Sequence, residues 1–250
     1  MTKKSFGALV LHGFTDSIDA VKILEQPLKA LGLPFRMPIL RGHGANSPEA
    51  LRRITWHDWV TDSRIALEDL LHEVDKVILI GYSMGGLVAL NLAADHPEMI
   101  DSQILAAAVV QINSPLAPGR PFYFLTPIVV RLIKNWDMPP TYVDQELAKN
   151  HNNYPWAPTD AIASLFEFSK LTRKRLDKIN VPTLILQSHN DSTAAKECPE
   201  IIYNGIKTPK KHKNIIWFEK TEHEMFRDCE RQAIVEVIQD YIKKRIQSKN

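Results

Sequence analysis

KVILIGYSMGGLVALNLAAD, residues 76–95, holds three successive signals. Val77-Ile78-Leu79-Ile80 is a short apolar run rich in β-branched residues, which predicts a strand buried on both faces. Gly81-Tyr82-Ser83-Met84-Gly85 follows as a G-x-S-x-G. Behind it Leu87, Leu90 and Ala94 recur at helical spacing. Pro97 then ends the helix, because a residue before proline resists the α conformation. A strand, a sharp turn and a helix form the context in which such a serine projects from the end of a sheet as a nucleophile. The glycines let neighbouring backbone approach the turn closely. The Met84 amide falls at a helix start, where free N–H groups and the helix dipole favour negative charge. It is therefore placed to stabilise an oxyanion.

Outward from this stretch, short apolar runs alternate with helical patterns. Phe6–Leu11 predicts the first strand, and His12-Gly13-Phe14-Thr15 the loop after it, with Asp16 and Ser17 as helix caps. Ile18, Val21, Leu24, Leu28 and Leu31 predict a helix ending at Gly32, followed by a short strand over 33–37. Thr55-x-x-Asp58 is a capping box with Asp in place of Glu and opens a long helix. Further strands are expected at 103–110, 183–187 and 214–218, and a final helix carries Ile234, Val237, Ile238 and Tyr241. Six short strands separated by helices predict an α/β fold: a mostly parallel sheet of about six or seven strands with helices on both faces.

The pattern breaks between about 115 and 170. Eight prolines fall between 115 and 158, and aromatics crowd in, among them Phe122, Phe124, Trp136, Tyr154 and Phe166. Short helical pieces are expected near 128–134 and 158–170. This stretch reads as a small helical cap inserted over the carboxyl edge of the sheet, within one domain spanning 1–250.

Composition excludes several classes. The 250 residues are 44% hydrophobic and 24% charged with a net charge of +2, an ordinary globular balance with no pull toward nucleic acid. Cys198 and Cys229 form no C-x-x-C and no zinc spacing. No run approaches the ~20 apolar residues that span a bilayer, and no apolar leader precedes the first strand. The expectation is a cytoplasmic protein without stable membrane insertion, with no metal, no cofactor and no phosphate loop, as a monomer or homodimer.

A serine hydroxyl needs a base to take its proton, and the base needs an orienting acid. Among nine histidines, only His223 combines a late position, a loop after the last strand and a helix behind it. Asp191 precedes it, also just past a strand. Serine, acid, histidine is the chain order that accompanies this turn. Asp177 and Glu219 are weaker candidates for the acid. His223-Glu224-Met225-Phe226-Arg227 fails the H-E-x-x-H zinc pattern.

With LVLHGFTDS, the RGHG loop, ITWHDW, GYSMGG, LILQSHNDS, IIYNGI and TEHEM in place, the chain resembles the α/β-hydrolase superfamily over nearly its whole length, and within it the small bacterial carboxylesterase and monoacylglycerol-lipase branch. The resemblance implies Ser83 as nucleophile, Asp191 as acid and His223 as base. It implies an oxyanion hole from the Phe14 and Met84 amides, and a cap at 115–170 over an acyl pocket. The implied activity is hydrolysis of carboxylic esters, of short to medium chain or a monoacylglycerol. A thioesterase, a serine aminopeptidase, a carbon–carbon bond hydrolase and a non-catalytic ligand sensor are the alternatives on the same scaffold. Thr221-Glu222 precedes His223 where relatives of this branch usually carry a glycine directly before the histidine.

Overall fold

The apolar runs lie side by side. In the computed structural model, which describes residues 3–248, the strands in chain order are β1 (Lys4–Leu11), β2 (Phe35–Arg36), β3 (Val74–Tyr82), β4 (Ile100–Ala106), β5 (Asn135–Asp137), β6 (Trp156–Pro158), β7 (Thr183–Ser188) and β8 (Lys213–Phe218). Six of them form one sheet in the order β2-β1-β3-β4-β7-β8, and every pairing in it is parallel. Period-two alternation along β3 divides its side chains between two cores. Val77 and Leu79 pack with Leu87 and Trp59 on one face, Ile78 and Ile80 with Leu24 and Ile234 on the other. The fold is that of an α/β-hydrolase.

The helices are α1 (Glu25–Ala30), α2 (Trp56–Leu71), α3 (Met84–Asp95), α4 (Thr126–Leu132), α5 (Gln145–Ala148), α6 (Thr159–Arg175), α7 (Cys198–Gly205) and α8 (Arg231–Gln247). α1 and α8 cover one face; α2, α3, α6 and α7 cover the other. The capping box is present, with the Thr55 amide donating to Asp58 Oδ2 at 2.9 Å. No helix among the described residues is long and apolar enough to cross a membrane.

Several elements differ from the sequence expectation for local reasons. The helix expected over 18–31 is two 3₁₀ turns, Ile18–Ala20 and Lys22–Leu24, before α1. Pro27 lacks an amide hydrogen and is tolerated only in a first helical turn, so the α-helix starts at Glu25. β2 keeps two residues because Pro34 and Pro38 bracket it. β4 ends at Ala106 because Ala107 turns to a φ of 48°.

The proline-rich stretch leaves the sheet after β4. It contains α4 and α5, and also an antiparallel pair, β5 with β6, in which Trp136 faces Ala157. α6 is part of the main helical layer: Phe168 is fully buried, and Thr172 Oγ1 accepts from Asn91 of α3 at 2.8 Å. The outer part, by contrast, exposes Phe122, Phe124, Ile128 and Leu132.

Candidate active site

Ser83 sits where β3 passes into α3, with φ 53° and ψ −116°, outside the regions a non-glycine residue favours. The sharpness of the turn requires its glycines. A Cβ on Gly81 would collide with the Gly85 carbonyl, and one on Gly85 with the carbonyl of Leu11 in the neighbouring strand. The turn is pinned by the Ser83 amide, which donates to the Ala106 carbonyl at 2.9 Å. Residues 84–93 of α3 are all buried, so helix and strand together form a rigid seat for the hydroxyl.

The loops after β7 and β8 bring the other two residues to it. His223 Nε2 lies 2.8 Å from Ser83 Oγ, and His223 Nδ1 lies 3.0 Å from each oxygen of Asp191. Asp191 is held in place by further donors: the Thr193 and Ala194 amides reach Oδ1 at 2.9 and 2.7 Å, and Gln187 Nε2 reaches Oδ2 at 2.7 Å. In the neutral ring, a carboxylate so surrounded holds the proton on Nδ1 and turns the lone pair of Nε2 toward Ser83. Burial alone would push the His223 imidazolium down, but the charge and hydrogen bond of Asp191, with Glu224 and Glu222, outweigh it and raise the pKa to about 9. Neither rival acid reaches the histidine. Asp177 is exposed in a turn after α6, and the exposed Glu219 faces His189.

Glu222, directly before His223, joins the acid and histidine loops. It accepts from the Ser192 amide at 3.0 Å and from the amide of His223. Ser188 Oγ adds a bond to the Thr221 carbonyl at 2.5 Å.

On the other side of Ser83 the loop after β1 carries Phe14, with Thr15 at a φ of 64°. Met84 is the first residue of α3, where an amide has no intrahelical acceptor. His12 supports this loop: its Nε2 accepts from the Leu40 amide at 3.1 Å, and its Nδ1–H faces the Gly13 carbonyl at 2.8 Å. Burial pushes its pKa down to about 4, which keeps the ring neutral and structural.

The sequence reading missed a buried charged group beside these residues. Asp16, expected to cap a helix, instead meets Arg227 at 2.8 Å, and the Asp19 amide turns to Ser17. Arg227 also binds Glu224 at 2.5 Å. Burial and the charge of Glu224 push the Asp16 carboxyl up to about 8, despite Arg227. The Tyr82 hydroxyl lies 3.1 Å from both the His223 carbonyl and the Glu224 carboxylate. The one available signal was adjacency, since Asp16 and Glu224 each flank a loop already singled out.

Ser83 and His223 open into a cavity of about 200 Å³. Val109, Ile112, Leu116, Val129, Ile162 and Phe166 give it apolar walls, and Thr15, Asp16, Asn153 and Glu224 a polar one around Arg227. An activated hydroxyl at the mouth of an apolar cavity suits attack on an acyl carbonyl.

The family model Hydrolase_4, described as serine aminopeptidase, S33, matches residues 7–230. A thermostable monoacylglycerol lipase of Bacillus sp. (strain H-257) is 28% identical over 92% of the chain and 87% of its own length. A carboxylesterase of Bacillus subtilis (strain 168) is 26% identical over 94% and 92%. Among solved structures, one described under "LipS and LipT, two metagenome-derived lipolytic enzymes" superposes with a TM-score of 0.84 at 26% identity, covering 97% of this chain and 95% of that one.

Proposed function

The chain belongs to the Hydrolase_4 family, and from that premise we propose that it hydrolyses carboxylic esters through an acyl-enzyme on Ser83. The observation that carries the reading is the buried hydrogen-bond chain from Ser83 Oγ through His223 to Asp191 at the mouth of an apolar cavity. In this reading Ser83 Oγ attacks the ester carbonyl while His223 Nε2 takes its proton. The Phe14 and Met84 amides donate to the oxyanion that forms. Asp191 holds the imidazolium. The C–O bond to the alcohol then breaks, His223 protonates the departing oxygen, and an acyl ester remains on Ser83. Water, deprotonated by His223, attacks that ester and releases the acid, and the proton returns to Ser83.

The apolar walls favour a short- to medium-chain acyl group, and the polar wall an alcohol bearing hydroxyl groups, such as the glycerol of a monoacylglycerol. The stretch from 115 to the start of α6 serves as the cover of the acyl pocket, with α6 as a wall from the main helical layer, within a single functional unit. The deciding experiment compares p-nitrophenyl esters, thioesters and aminoacyl anilides side by side at multiple turnovers. Ester turnover at least tenfold above the others supports the reading. Preference for thioesters or anilides replaces it with a thioesterase or aminopeptidase. Binding without turnover replaces it with a ligand sensor.

A further inference from the structure

Arg227 stands at a junction that acyl transfer itself does not require. Its guanidinium reaches four side chains on three separate segments. Nη2 donates to Asp16 Oδ1 at 2.8 Å, on the loop that carries Phe14. The same nitrogen donates to Glu224 Oε2 at 2.5 Å, one residue past His223. It also meets Asn153 Oδ1 at 2.9 Å, while Nη1 meets Asn152 Oδ1 at 3.1 Å, both on the stretch between α5 and β6. The same segments are sewn together beside it. Asn153 Nδ2 donates to Glu224 Oε1 at 3.2 Å, and the Tyr154 amide donates to the Thr15 carbonyl at 3.0 Å. Asp228, the next residue, accepts the Val143 and Glu222 amides at 2.9 and 2.8 Å.

The charge arrangement makes this junction directional. Two buried carboxyl groups, Asp16 and Glu224, face one cation, and both line the cavity that Ser83 opens into. The Asp16 side chain also packs directly on Gly13, so its position sets that of the turn leading into Phe14. A planar fork with several donors spans such a set, and a point charge does not.

We infer that Arg227 is a positioning residue for this hydrolase, clamping the Phe14 loop, the His223 loop and the 152–154 segment in register around Ser83. The inference rests on the proposed ester hydrolysis and goes beyond it. Arg227 touches neither the nucleophile nor the base; it acts through Asp16 and Glu224.

The test is steady-state hydrolysis of p-nitrophenyl acetate by Arg227→Met, Arg227→Lys and Asp16→Asn, and by the Asp16→Asn/Arg227→Met double variant, with Ser83→Ala as reference. Misplacement of catalytic groups by about 1 Å costs on the order of 10²-fold. Arg227→Met should therefore lower kcat by roughly 10- to 100-fold with KM within about threefold of the original. Arg227→Lys should recover less than half of that loss on a logarithmic scale. The double variant should fall short of the product of the single effects. If Arg227→Met does not fold, Arg227→Lys and Asp16→Asn carry the test through the same split between kcat and KM. A kcat within threefold of the original, a loss confined to KM or a fully additive double variant overturns the inference. Full activity of Ser83→Ala would instead overturn the underlying mechanism, so the two failures are distinguishable.

Discussion

The two sides of the cavity are built on opposite terms. On the Ser83 side, Ser83, Asp191 and His223 are buried, and the loops after β7 and β8 are bonded to one another at several points. On the other side, α4 and the segment leading into it turn Phe124 and Leu132 outward at 71% and 75% exposure, and β5 leaves Trp136 44% exposed. One side has its geometry dictated by backbone hydrogen bonds and close glycine contacts. The other is a surface whose shape depends on apolar contacts that tolerate substitution. Under the proposed ester hydrolysis, the contrast predicts a separation of tasks: the sheet edge fixes which atoms meet, and the cover selects what enters. Substitutions on the first side should change kcat; those on the second should change the ranking of substrates.

The largest expected effect is on the sheet side. Ser83→Ala should lower kcat by roughly 10³-fold or more with the fold intact, measured by ester turnover alongside circular dichroism. Asp191→Asn should follow, by up to about 10⁴-fold, because the amide favours the wrong imidazole tautomer. Glu219→Gln should stay within about threefold, since Glu219 is exposed and bonded elsewhere. Near-equal losses in Asp191→Asn and Glu219→Gln would break the contrast.

The cover should show smaller, graded effects. At roughly 0.8 kcal/mol per buried CH₂, each added methylene should raise kcat/KM about fourfold until the cavity is full, after which it should fall. Phe166→Ala removes a buried wall of that cavity and should move the optimum to a longer chain while leaving turnover of the acetate within a few-fold. A flat chain-length profile in the intact protein would remove the selective role of the cover.

The smallest effect concerns pH. A protonated His223 cannot accept the Ser83 proton, so kcat/KM should fall as pH drops through the His223 pKa of the free enzyme. Because the neighbouring carboxylates raise that pKa, the midpoint should lie above the ordinary histidine value of 6.5. Glu224 contributes to the rise, so Glu224→Gln should move the midpoint to lower pH. A shift in the opposite direction would contradict the electrostatic picture of the site.

What the sequence made legible follows the same division. The β3–turn–α3 unit could be read because its signals are local: β-branched residues, two required glycines and helical spacing within twenty residues of chain. Asp191 and His223 could be located because parallel strands deliver their following loops to one edge. The Asp16–Arg227 pair could not, since 211 residues separate its members and each looks like an ordinary surface charge alone. The β5–β6 pair was hidden for another reason. Its strands are three residues long, too short for alternation to register, and no tight turn joins them.

The most direct test of the central claim is active-site labelling with a fluorophosphonate, followed by peptide mass spectrometry and residual ester turnover on the same samples. The account predicts one label per chain, located on Ser83, with turnover lost in proportion to labelling and no label in Ser83→Ala. Labelling at another residue, or ester turnover that survives complete modification of Ser83, would contradict it.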